Sequence, residues 1–117
     1  MKRDMDLIRK ILVGMEGLEE SPTSTGEFQV EGFTDGQVNY HLRLLVEAGL
    51  IVAADAGDEW IPLYLTWQGH EFIDASREDS RWEKAKSVVM AKTGGLSFEL
   101  IKDVLLKWGS AAIMGSM

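Results

Sequence analysis

Gln37, Asn39, Tyr40 and Arg43 stand close together in one stretch of the chain. Asn and Gln can pair bidentately with adenine and Arg with guanine, and a tyrosine hydroxyl or a guanidinium can also hold a phosphate oxygen. These four are therefore the candidate nucleic-acid contacts, the set a helix would use to read base edges. The same residues also suit an ordinary solvated helix face, because no basic cluster accompanies them. Other chemistry finds less support. The chain has two histidines, His41 and His70. Each is expected to be packed and hydrogen-bonded, since neither sits at a spacing that supplies a third metal ligand. No nucleophile stands beside a base, and Gly94-Gly95 lacks both the preceding strand and the lysine of a phosphate loop. The expectation is a non-enzymatic protein with no catalytic residues, no metal, no cofactor and no small-molecule substrate.

The elements that must position these residues follow from periodicity and caps. Met5, Ile8, Ile11, Leu12, Met15 and Leu18 have the spacing of an amphipathic helix over residues 4–18. Ser21 to Gly26 reads as a loop, and Glu27 to Phe33 alternates apolar and polar residues as a short strand does. Thr34-x-x-Gln37 is a capping box, so a helix starts at Asp35, with Val38, Leu42, Leu45 and Val46 as its core stripe and Gly49 at its left-handed end. Leu50–Ala54 and Trp60–Leu65 form a hairpin around Asp55 to Glu59, with the second strand at an edge or bulged because Pro62 cannot donate to a ladder.

Thr66 caps the next helix, and Ser80-x-x-Glu83 is a second capping box that predicts a kink or restart at Asp79-Ser80. Thr93-Gly94-Gly95 ends that helix. Ser97 caps a last one, and Gly109 to Met117 is expected to fray.

Composition bounds the class. The chain has 117 residues, no cysteine and a formal charge of −7. One core can hold such a length together without disulfides or a structural metal. MKRDMDLIRK has no apolar stretch before a small-residue cleavage site and no apolar run is long enough for a membrane span, so neither a secretory leader nor a span is expected. A cytoplasmic, non-membrane protein is expected. An acidic chain with no basic tail also makes a poor general phosphate binder, although a local patch of Lys2, Arg3, Arg9, Lys10 and Arg43 remains open.

The order helix, strand, helix ending in EAGLI, hairpin, then LTWQGHEFI resembles a winged-helix domain over residues 38–73. The matching residues are Val38, Leu42, Leu45, Ala48-Gly49-Leu50-Ile51 and Leu65-Thr66-Trp67-Gln68-Gly69. More narrowly, MKRDMDLIRKIL, VNYHLRLLVEAGLI, LTWQGHEFIDASRED and GGLSFELIK resemble a family of short bacterial and prophage proteins known only as a domain of unknown function. The resemblance implies an α+β fold: a winged-helix-like core of helix, strand, helix and β-hairpin wing, followed by two or three C-terminal helices. Read this way, residues 1–117 form a single domain with its core at 4–78 and a helical extension at 80–109. The sheet is expected to have three strands. The supporting helix of a helix-turn-helix, which would cross the phosphate backbone, is missing between Gly26 and Thr34.

The last helix carries more apolar width than one stripe needs. Phe98, Ile101, Leu105 and Trp108 are its candidate oligomer interface, and winged-helix domains commonly pair through terminal helices, so the resemblance implies a homodimer. Two functions stay open. One is a DNA-binding transcriptional regulator acting on double-stranded DNA. The other is a protein-interaction adaptor whose scaffold has lost that activity. Asp55, Asp58 and Glu59 at the tip of the hairpin would repel phosphates and count against the first.

Overall fold

Asp4 opens the first helix by turning its carboxylate back on the chain: Oδ1 accepts the N–H groups of Asp6 (3.0 Å) and Leu7 (3.1 Å). This satisfies amides that have no partner inside the helix. The computed structural model describes residues 2–20 and 28–115. Its elements are α1 (Met5–Glu20), α2 (Asp35–Glu47), β1 (Ile51–Asp55), β2 (Trp60–Leu65), α3 (Trp67–Ser76), α4 (Asp79–Thr93) and α5 (Phe98–Gly115). The fold is α+β, helices with one antiparallel hairpin, as the sequence predicts. Two compact units divide inside α3, at Met1–His70 and Glu71–Met117, ahead of residue 80 where the sequence places the start of the extension.

In the first unit α1 packs on α2 and β2, and α2 packs on both strands. Leu7, Ile11, Leu12 and Met15 of α1 are buried with Val38, Leu42 and Leu45 of α2 and Leu50, Ile51 and Leu65 of the hairpin. The capping box of α2 forms as expected. Thr34 Oγ1 accepts the Gln37 N–H (3.1 Å), and Gln37 Oε1 accepts the Thr34 N–H (2.8 Å). Gly49 ends the helix at φ 75°, and its N–H donates to the Val46 carbonyl at 3.0 Å.

The hairpin pairs Ile51 with Leu65, Val52 with Tyr64, Ala53 with Pro62, Ala54 with Ile61 and Asp55 with Trp60. Leu63 is the extra residue of a bulge, next to the proline that cannot donate. At the exit of β2 the segment Leu65-Thr66-Trp67-Gln68-Gly69 works as a joint. Thr66 Oγ1 donates to the Gly49 carbonyl (2.6 Å) and accepts the Gly69 N–H (3.1 Å), while the Thr66 N–H donates to the Leu50 carbonyl (3.0 Å). Gly69 lies so close to the Leu50 carbonyl that a Cβ there would overlap it.

One predicted element is corrected. Residues 28–30 belong to no ladder, and Glu31–Phe33 form a turn with Gly32 at φ 89°, closed by the Phe33 N–H to the Val30 carbonyl at 3.2 Å. Among the described residues the sheet therefore has two strands. The alternation reported half-burial, and a loop lying on a helix meets that condition too. The ring of Phe28 rests against α1 at Gly14, where a Cβ would come within 3.0 Å of it. No helix occupies residues 28–34. Residues 21–27, which hold the whole predicted loop and the first residue of that strand, lie outside the described residues.

In the second unit the Phe72 ring meets Trp82 edge-on at 5.9 Å and Phe98 at 4.9 Å, contacts that favour aromatic clusters beyond their buried area. Ile73, Ala85, Val89, Ile101 and Leu105 are buried as well. The break before α4 falls at Arg77-Glu78. Glu78 is the N-cap with no side-chain hydrogen bond, and Ser80 lies within the helix, so the second capping box is not what starts it. Gly94 at φ 73° closes α4 by donating its N–H to the Met90 carbonyl at 2.8 Å. Ser97 caps α5, accepting the Leu100 N–H at 3.4 Å. That helix runs to Gly115, past the expected start of fraying at Gly109; Ser116 and Met117 lie outside the described residues.

Candidate interaction surfaces on the central helix and the hairpin

α2 holds all four candidate contacts, and the structure separates them into two pairs. Gln37 is engaged in the capping box, and its carbonyl also receives His41. Asn39 is engaged with the hairpin: Oδ1 accepts the Trp60 N–H at 2.6 Å, and Nδ2 donates to the Asp58 carbonyl at 3.3 Å. Both ends of this amide thus serve to seat β2 on α2. The other pair faces outward. The Arg43 guanidinium lies 5.2 Å over the Tyr40 ring and 3.8 Å from the Glu47 carboxylate.

His41 is buried on the inner side of the same helix, 1% exposed. Its Nε2 takes the N–H of Asp4 at 2.8 Å, and Nδ1 lies 2.8 Å from the Gln37 carbonyl. A backbone N–H can only donate, so Nε2 is the acceptor and Nδ1 carries the proton. The ring is therefore a structural link between the start of α1 and α2, as a packed, hydrogen-bonded histidine was expected to be. Lys10 of α1 lies 5.4 Å over the Phe33 ring. Among the described residues no three His, Asp or Glu side chains are grouped to hold a metal, and no helix is long and apolar enough to cross a membrane.

The hairpin presents the surface that sequence reasoning missed. Its register puts Ile51, Ala53, Pro62 and Leu65 on one face and Val52, Ala54, Ile61 and Tyr64 on the other. On the outer side Ile61 is 45% exposed and Tyr64 52%, the bulged Leu63 is 51% exposed, and Trp67, first residue of α3, is 76% exposed. A half-buried sheet normally turns polar side chains to water. Here both faces are apolar. The signal in the sequence is the run Trp60-Ile-Pro-Leu-Tyr-Leu65, which is apolar throughout and does not alternate.

On α5 the structure sorts the candidate interface residues by burial. Phe98, Ile101 and Leu105 are buried within the chain and so have no surface to offer a partner. Trp108 is partly buried, with Lys84 lying 5.5 Å over its ring. Among the residues of this helix whose side chains are described, Leu100 and Leu106 are the exposed large apolar ones, at 42% and 37%.

Residues 2–97 match the family model described as "Hypothetical protein (DUF2513)". The chain belongs to the DUF2513 family. This agrees with the narrower resemblance read from the sequence in so far as it names a domain of unknown function. An "Uncharacterized protein" of Haemophilus influenzae (strain ATCC 51907 / DSM 11121 / KW20 / Rd) is 41% identical to this DUF2513 chain over 108 residues, covering 89% of this chain and 92% of that one. No solved structure matches the chain. The span matched by the DUF2513 model takes in α2, the hairpin and the Thr66–Gly69 joint, and stops at Ser97, just before α5.

Proposed function

We propose that this DUF2513 chain is a protein-interaction adaptor, built on a winged-helix-like pairing of α2 with the hairpin, and that it engages its partner through the outer face of the hairpin. The observation that carries the reading is the exposure of Ile61, Leu63 and Tyr64 on β2, with Trp67, 76% exposed, two residues past the end of the strand. Apolar side chains gathered on one exposed face mark interaction sites more often than scattered ones do, and Tyr and Trp are enriched at the centres of such interfaces. The commitment of Gln37 and Asn39 to internal hydrogen bonds and the carboxylates of Asp55, Asp58 and Glu59 at the hairpin tip both weaken the alternative of a duplex reader.

Changing Leu63, Tyr64 and Trp67 together to Ser tests the reading. The variant should stay folded and lose capture of its protein partner from native cell extract, while neither it nor the original chain binds duplex fragments. Partner capture unaffected by the three changes would sink the proposal.

A DNA-binding regulator keeps one supporting observation, the Arg43 guanidinium stacked on Tyr40 at the exposed face of α2. If that reading holds, log affinity for duplex falls with log salt at a slope near −0.9 per phosphate neutralised. Arg43→Ala then makes the slope shallower by about one, or relaxes specificity at a single base pair.

A further inference from the structure

Within the unit Met1–His70 a groove of ≈ 850 Å³ opens between the C-terminal half of α1, the first turns of α2 and the start of β2. Half-buried Leu18, Phe28 and Trp60 contribute apolar wall, and the exposed carboxylates of Asp35, Asp58 and Glu59 line it too. Among the described lining residues there is no Lys or Arg. The wall is preset, because the Asn39 amide fixes Asp58 and Trp60 through their backbones. A preformed groove does not lose binding energy to ordering itself.

We infer that this groove is a docking site for a basic peptide segment, one that places an apolar side chain between flanking Lys or Arg residues. The walls take the apolar side chain out of water. The three carboxylates pair with the flanking cations in the solvent-exposed regime, where charge sets the rate of encounter and the choice of partner more than the affinity. The net charge of −7 attracts the same partners from a distance. An acidic segment or a phosphate backbone meets only repulsion there. The groove borders the outer face of the hairpin at Ile61, which lines both, but its ligand class is set by Asp35, Asp58 and Glu59 and does not depend on what contacts Leu63, Tyr64 and Trp67.

The test is a titration of the ¹⁵N-labelled chain with three synthetic peptides of equal length, centred on Lys-Leu-Arg, Lys-Gly-Arg and Glu-Leu-Glu. The first should shift the amide signals of Gly36, Asn39 and Trp60 in a saturable way, the second should bind more weakly, and the third should not bind. The joint change Asp35→Asn, Asp58→Asn and Glu59→Gln alters only exposed side chains and should leave the spectrum folded. It should weaken the Lys-Leu-Arg peptide about tenfold, from three exposed pairs of ordinary strength, and raising the salt should weaken it in the same direction. Leu18→Gln should abolish the preference for Leu over Gly while keeping the preference for Lys over Glu. Failure of the Lys-Leu-Arg peptide to bind, equal binding of the acidic peptide, an affinity unchanged by the triple substitution, or shifts confined to residues outside the groove would each overturn the inference. So would groove signals that move with protein concentration alone, since the occupant would then be a second copy of the chain.

Discussion

The side-chain carbonyl of Asn39 accepts the backbone N–H of Trp60 at 2.6 Å, and the other end of the same amide donates to the Asp58 carbonyl. One residue of α2 thereby fixes the approach of β2. On sequence grounds Asn39 was a candidate base reader, since asparagine pairs well with adenine. In the folded chain its donors and acceptor are directed at the hairpin, and the exposed side of α2 is left to Tyr40 and Arg43.

Asn39→Ala should therefore cost stability, about 1–2 kcal/mol for two hydrogen bonds of which one is part-buried. The midpoint of urea denaturation measures it. A residue held in reserve for DNA would show no change.

Gly69→Ala tests the joint after β2. Its methyl group would run into the Leu50 carbonyl, which is backbone already held by the Thr66 N–H and cannot swing aside like a side chain. The expected loss is about 3 kcal/mol, although alanine is otherwise the better helix residue. A stability equal to or above that of the original chain would show that α3 leaves the hairpin by another path.

His41→Leu removes the acceptor of the Asp4 N–H while keeping an apolar side chain of similar size. The stranded amide should cost about 2 kcal/mol, and hydrogen exchange in the first turn of α1 should speed up more than exchange in α2. Equal acceleration in both helices would mean that the ring matters as packing and not as a link.

The local features were legible because they are written in neighbouring residues. Thr34 with Gln37, Gly49 and Gly94 each satisfy backbone groups within a few positions, as Thr66 does for the Gly69 N–H, and the elements they bound stand where the pattern puts them. Non-local relations were not legible. The bond from Asp4 to His41 spans 37 residues, and the two bonds of Asn39 depend on how the hairpin folds back. Periodicity also could not say whether Phe28 and Val30 lie in a ladder or in a loop, since either arrangement half-buries alternate residues. On α5 the excess of apolar residues was plain, but only packing shows that Ile101 and Leu105 face inward and Leu100 and Leu106 outward.

That division on α5 makes a paired prediction. Leu105→Asp puts a carboxylate where no surface is exposed, and should cost about 4 kcal/mol or more. Leu106→Asp changes an exposed position and should stay within about 0.5 kcal/mol of the original chain. If the chain forms a homodimer through α5, sedimentation should show Leu106→Asp as a folded monomer. A dimer that survives Leu106→Asp and Leu100→Asp together would place the contact elsewhere.

The central claim is that the hairpin's outer face meets a protein and that the exposed face of α2 does not meet DNA. A photo-crosslinking amino acid placed at Tyr64 in one variant and at Tyr40 in another, irradiated in the native cell, compares the two faces directly. The account predicts a discrete adduct from the Tyr64 position that protease destroys and nuclease leaves intact, lost when Trp67→Ser is added. A nuclease-sensitive adduct from the Tyr40 position, with none from Tyr64, would contradict it.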